Sequence, residues 1–161
     1  MSRYHVLRAD RELTDPAAIA GILRRGKYAT IAMVHDGQPY LVTLSCGWDE
    51  AANALFFHMA RAGRKLDALT ADPRVCATVV LDGGYVDGEC KHRYESVVMT
   101  GTMRVLTDPE KARAGMRALI GALEGDSEPL WSHYKLDGQK HWERMSIARL
   151  DIETITAKSG S

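Results

Sequence analysis

Residues Gln38–Leu66 read QPYLVTLSCGWDEAANALFFHMARAGRKL, and the order of patterns in this stretch decides the fold. Pro39–Trp48 reads as one long strand, with Leu41, Thr43 and Ser45 on one face and Val42, Leu44 and Cys46 on the other. A turn over Asp49–Asn53 leads into a second apolar strand, Ala54–Met59. Upstream, Thr30–His35 is apolar and partly β-branched and ends in Asp36-Gly37, a pair suited to the two positive-φ positions of a tight hairpin. Three strands joined by two short turns make an antiparallel meander.

Working outward, Asp15-Pro16 is a helix start, an N-capping carboxylate followed by a ring preset for the first turn. Ile19, Ile22 and Leu23 form the stripe of a helix over 15–25, and Gly26 reads as its left-handed stop. After the meander, Arg61–Ala71 reads as a short helix and Val75–Leu81 as a strand, with Asp82–His92 a glycine-rich loop. Tyr94–Leu106 reads as a long strand in which Gly101 interrupts the face made by Val97, Met99, Met103 and Val105, marking a bulge or bend. Asp108-Pro109 repeats the helix start, and Ala112, Met116, Leu119, Ile120 and Leu123 supply the stripe up to Gly125. Residues 126–143 read as irregular, 145–156 as the last strand, and Lys158–Ser161 as a frayed tail. About six strands with three short helices predict a mainly β, antiparallel barrel or sandwich with helices packed outside.

At 161 residues the chain fits one domain, by the usual prior of roughly 100–200 residues each. Lys plus Arg and Asp plus Glu are both 21, so the formal net charge is zero, which argues against general nucleic-acid binding. No apolar run approaches the ~18 residues of a membrane span, and Met1–His5 leads into charged sequence rather than a signal core. The chain therefore reads as cytoplasmic. The three cysteines, Cys46, Cys76 and Cys90, make no disulfide framework, and Cys90-Lys91-His92 lacks the second ligand pair of a metal site. Gly83, Gly84 and Gly88 do not open a helix, so no dinucleotide fingerprint is present.

The chemistry-bearing segment is His58 to Leu66. A strand ends in a histidine, Gly63 opens the chain, and Arg64 and Lys65 begin a helix. Helix-start amides and two cations together favour an anion, above all a phosphate; a solvated basic turn paired with Asp67 is the plainer alternative. Thr43 and Ser45 offer hydroxyls on an otherwise apolar strand face, suited to the polar edge of a flat ligand or simply to solvent. His58 is either structural or a proton relay.

Taken in order, Gln38–Ser45, Leu55–His58, Gly63–Leu66 and Tyr94–Val98 with Gly101 resemble the flavin-binding split-barrel superfamily of pyridoxamine 5′-phosphate oxidase, closest to its nitroimidazole-resistance branch, over roughly residues 10–158. The resemblance implies a six-stranded antiparallel split β-barrel with short flanking helices, a homodimer, and FMN at the dimer interface. It implies that Arg64 and Lys65 hold the FMN phosphate and that Thr43, Leu44 and Ser45 line the flavin ring, partly through backbone groups. His58 would stand beside the flavin as the candidate catalytic residue, and Ser96 would lie near the cofactor. Trp131 or Trp142 would cover it from the second subunit. The implied activity is FMN-dependent reduction of a small electron-poor molecule such as a nitroaromatic. The alternatives are a non-catalytic flavin- or haem-binding sensor, with His58, His92, His133 and His141 as axial candidates, and a deazaflavin-dependent reductase. No metal ion is expected.

Overall fold

The computed structural model describes residues 7–138 and 140–160; Met1–His5 and the last residue of the tail lie outside them. A 3-10 turn, Ala9–Arg11, and a two-residue strand β1 (Glu12–Leu13) precede helix α1 (Pro16–Arg25). Strands β2 (Tyr28–His35), β3 (Gln38–Asp49) and β4 (Ala54–Ala60) form the meander. Helix α2 (Arg64–Ala71) leads to β5 (Arg74–Val86) and β6 (Lys91–Val105), and α3 (Pro109–Glu124) and α4 (Glu128–His133) precede β7 (Met145–Gly160). All pairings are antiparallel, in the order β1-β7-β4-β3-β2-β5-β6, and β6 pairs again with β7. The ring therefore closes through six strands, β2 to β7, with β1 added at the edge of β7. This is a mainly β split barrel.

Local chemistry accounts for most of these elements. Asp36 and Gly37 both take positive φ, 52° and 71°, which gives the β2–β3 hairpin the turn whose twist matches its strands. Asp15 accepts hydrogen bonds from the amides of Ala17 and Ala18, and Asp108 from those of Glu110 and Lys111. One face of every barrel strand fills the interior, where Ile31, Phe57, Leu55, Met99 and Leu150 are fully buried beneath α1 and α2. A second core lies outside the barrel, where Phe56 and Ile147 meet Met116, Leu119 and Trp131 under α3 and α4.

Four sequence expectations are corrected. Asp82–His92 is not a loop: Tyr85 pairs with His92 and Val86 with Lys91, so β5 and β6 extend as a two-stranded arm around a register shift. Lys158–Gly160 is not frayed, because Lys158 pairs with Ser96 and Glu12, and Gly160 with Tyr94. Residues 126–143 carry α4, and α3 is long, at 16 residues. Gly26 does not stop α1 in a left-handed conformation, since its φ is −70°; a Cβ there would meet Val79 at 2.2 Å, so the position needs glycine for close approach.

Gly101 is an irregularity, as its place in the face suggests. The β6–β7 register slips between Thr100 and Gly101, passing over Glu153, and a Cβ on Gly101 would fall 1.9 Å from the Asp151 carbonyl oxygen. Gly101→Ala is expected to cost about 3 kcal/mol in chemical denaturation, because backbone rather than a side-chain tip must yield. Gly37→Ala, with open space around it but a left-handed φ, is expected to cost about 1 kcal/mol. A Gly101→Ala loss no larger than the Gly37→Ala loss would refute the close-approach account.

Candidate functional site

The β4–α2 connection is built around Gly63, whose φ of 112° suits a residue without a side chain. Gly63 is also the N-cap of α2, and no side chain caps that helix, whereas α1 and α3 are both capped by aspartates. The Gly63 carbonyl accepts from the amides of Leu66 and Asp67, so the helix is closed, but its first amides have no side-chain acceptor. The residues that carry those amides are Arg64 and Lys65, cations at the end of the helix where the dipole disfavours them.

Neither cation is neutralised by a described residue. No salt bridge among the described residues involves Arg64 or Lys65. The Arg64 guanidinium carbon instead lies 4.3 Å from the ring centre of Tyr40, at the start of β3. Stacking orients the guanidinium plane and leaves its N–H edge open to an anion. Tyr40 was not singled out in the sequence: alternation places it with Val42 and Leu44, but nothing local indicates that a residue 24 positions on will stack against it.

His58 sits near the end of β4 with its side chain exposed on the outer face. Partial burial pushes its imidazole pKa below the usual value, and the Lys65 ammonium pushes in the same direction. Both effects favour the neutral imidazole at pH 7, with one ring nitrogen a donor and the other an acceptor. Cys46 and Phe57 form the last β3–β4 pair on the interior face; Ser45 and His58 come one step further on, on the outer face. Thr43 is on that outer face too, and its hydroxyl is 2.9 Å from that of Thr30 on β2. The Leu44 side chain points inward and packs against the core, so only its backbone is available to a ligand on the outer face.

Two expected residues are not gathered here. Ser96 is buried between Val80 and Lys158 on β6, three strands from Ser45, a separation of about 14 Å at ordinary strand spacing. Trp131 is 1% exposed, its indole N–H donates to Asp137 at 2.9 Å, and the Arg117 guanidinium covers its ring at 3.8 Å. It holds α4 against α3 and has no free face to cover a cofactor. Among the described residues no group of three or more His, Cys, Asp and Glu side chains could hold a metal ion.

A cleft of about 500 Å³ opens beside the Gly63 turn, between the starts of α2 and α3. Its walls include Arg61, Leu66, Arg113 and Trp142, and its floor Leu106 and Ile147. Arg61 donates to the Trp142 carbonyl at 2.9 Å, and the Trp142 indole N–H donates to the Leu136 carbonyl at 2.9 Å.

The influence of Lys65 on His58 is checked by imidazole titration followed by NMR. His58 is expected to titrate below 6.5, and Lys65→Gln to move it upward without restoring the ordinary value, because burial is the larger cause. The unfolded chain then binds more protons below pH 6.5, so His58 lowers stability as pH falls through that range. An unchanged His58 titration in Lys65→Gln would contradict the pairing.

Several solved structures share this architecture. The flavocytochrome Anf3 from Azotobacter vinelandii is 22% identical, covering all of this chain and 75% of its own, with a TM-score of 0.82. A candidate 5-nitroimidazole antibiotic resistance protein from Bacteroides thetaiotaomicron is 20% identical over 92% of this chain and 86% of its own, at a TM-score of 0.74. The FAD and heme binding protein from Mycobacterium smegmatis is 21% identical over 94% and 74%, at 0.69. At these identities the likeness is one of fold. No curated protein matches the chain. The model of the pyridoxamine 5′-phosphate oxidase family, however, matches residues 15–159, nearly the whole length, and the chain therefore belongs to the pyridoxamine 5′-phosphate oxidase family.

Proposed function

We propose that this protein binds a flavin phosphate, FMN being the simplest such ligand, and uses it to reduce a small electron-poor molecule such as a nitroaromatic. The observation that carries this reading is the Gly63 turn: uncapped helix amides next to two cations that have no carboxylate partner among the described residues. A phosphate satisfies all of these donors at once, and it removes the conflict between the cations and the helix dipole. Structures of similar fold described as a flavocytochrome and as an FAD and heme binding protein support a flavin or a haem as the ligand class.

Within this reading each residue has a distinct task. Arg64 and Lys65 bind the phosphate, with Tyr40 orienting Arg64. Thr43, Ser45 and the Leu44 backbone line the ring. The flavin, when bound, supplies the redox chemistry. His58, largely neutral at pH 7, takes up and returns a proton beside the ring and is the catalytic residue of the proposal.

A second copy of the chain completes the site. Tyr28, Val34, Leu41, Val80 and Val98 are five of the eight strongly exposed large apolar side chains among the described residues, and all lie on the outer face of the β3-β2-β5-β6 sheet that carries Thr43 and Ser45. Covering this face in a homodimer would remove that apolar surface from water and enclose the ligand.

Purified protein is expected to carry or take up FMN. Arg64→Ala with Lys65→Ala is expected to weaken FMN about 100-fold while changing riboflavin less than about threefold. Equal losses for both ligands would refute the phosphate assignment, and a haem Soret band with no flavin uptake would replace it with the haem reading. Deazaflavin binding in place of FMN would replace the cofactor alone.

The dimer is tested by thiol labelling together with sedimentation. Cys76 lies on the proposed interface, Cys90 at the tip of the β5–β6 arm, and Cys46 in the core, where burial pushes its pKa up to about 12. Cys90 is expected to label fast in the native dimer, Cys76 slowly, and Cys46 only on unfolding. Leu41→Glu is expected to give a monomer in which Cys76 labels as fast as Cys90. A wild-type monomer with both thiols reactive would refute the dimer.

A further inference from the structure

Beside the Gly63 turn the cleft is left unused by the reading above, and we infer that it receives the adenosine half of a flavin dinucleotide, so that the preferred ligand of this chain is FAD. The inference rests on the placement of a flavin phosphate at that turn and extends it. Arg61 and Leu66, which bracket Gly63, Arg64 and Lys65 in sequence, both line the cleft, so the turn is a wall shared by the phosphate cradle and the cleft. A second phosphate joined to the first has to emerge next to this wall.

The lining suits what would follow that phosphate. Arg61 uses one terminal N–H on the Trp142 carbonyl and has no carboxylate partner among the described residues, so its remaining donors are available to an anion. Trp142 is fixed at its carbonyl by Arg61 and at its indole N–H by Leu136, leaving a held, half-buried ring to stack on a purine. Leu66, Leu106 and Ile147 supply apolar contact, and Arg113, held by Glu110 at 2.8 Å, supplies donors for ring nitrogens or ribose hydroxyls. Glu143 is the acidic member of the lining and Arg113 is already paired with Glu110, so Arg61 is the cleft's guanidinium without a carboxylate partner among the described residues. The volume of about 500 Å³ falls within the range of roughly 300–1,000 Å³ typical of small-molecule sites. Thr43, Ser45 and His58 do not line it, so it is distinct from the face assigned to the flavin ring.

Flavin-free protein titrated with FAD, FMN and riboflavin, followed by quenching of flavin fluorescence, tests the inference. FAD is expected to bind about tenfold or more tightly than FMN, and FMN more tightly than riboflavin. Trp142→Leu and Arg61→Ser are each expected to bring FAD to within about twofold of FMN while leaving FMN unchanged. Arg113→Gln, at a partly buried position that makes neither of the hydrogen bonds holding Trp142, is expected to weaken FAD alone. FMN binding tightly and FAD no tighter would overturn the cleft assignment while the phosphate reading stands, as would variants that weaken both ligands alike. FMN and FAD both binding no better than riboflavin would overturn the phosphate reading and the cleft assignment with it.

Discussion

The structure depends on one strand serving two neighbours at once. Ala148 of β7 pairs with Phe57 of β4 and with Val105 of β6, and Leu150 pairs with Leu55 and with Met103. Over these few residues the sheet becomes a ring, and backbone groups that would form two open edges are paired. A flat sheet cannot close in this way, so a local change of direction is required. Gly101 supplies it, letting β6 meet the Asp151 carbonyl at a distance no side chain would allow, while the register slips past Glu153. Beyond that slip β7 leaves β4 and runs between β6 and the short β1, which is where the barrel splits.

Closure is also what holds the candidate site in place. β4 is paired on both sides, to β3 and β7, and packed on both faces, with Phe57 in the barrel and Phe56 under α3. Its end is therefore a fixed platform for the Gly63 turn. From that platform Arg64 reaches back to β3, where its guanidinium stacks on Tyr40. A cluster of unneutralised positive charge costs less when its members ride on elements already ordered by the core, because little additional side-chain entropy is lost on ligand binding. The same platform forms one wall of the cleft through Arg61 and Leu66.

Much of this was legible in the residues, for local reasons. Asp15-Pro16, Asp108-Pro109 and Asp36-Gly37 each specify their own backbone geometry, and period-two alternation separates Thr43 and Ser45 from Val42 and Leu44. Gly101 could be singled out because it breaks an otherwise apolar face. The two misread strand segments share one cause: pairing between distant segments overrode local signals. Gly83, Gly84 and Gly88 look like loop residues, yet β5 and β6 pair on through that region. Lys158–Gly160 looks like a tail, yet β6 pairs with all of it and β1 pairs with Lys158 from the other side. At the candidate site, the turn at Gly63 and the two cations opening α2 were legible because they lie within three consecutive residues. The Tyr40 stack, the burial of Trp131 and the cleft behind Arg61 were not, since each is made by segments that only the closed barrel brings together.

The central claim is that the Gly63 turn is a phosphate site. A crystal structure of the protein grown with FMN tests it most directly. The account predicts phosphate oxygens within about 2.7–3.2 Å of the Arg64 and Lys65 amides or side chains, with the Arg64 guanidinium still stacked on Tyr40. FMN bound with its phosphate elsewhere, and the Gly63 turn open to solvent, would contradict it.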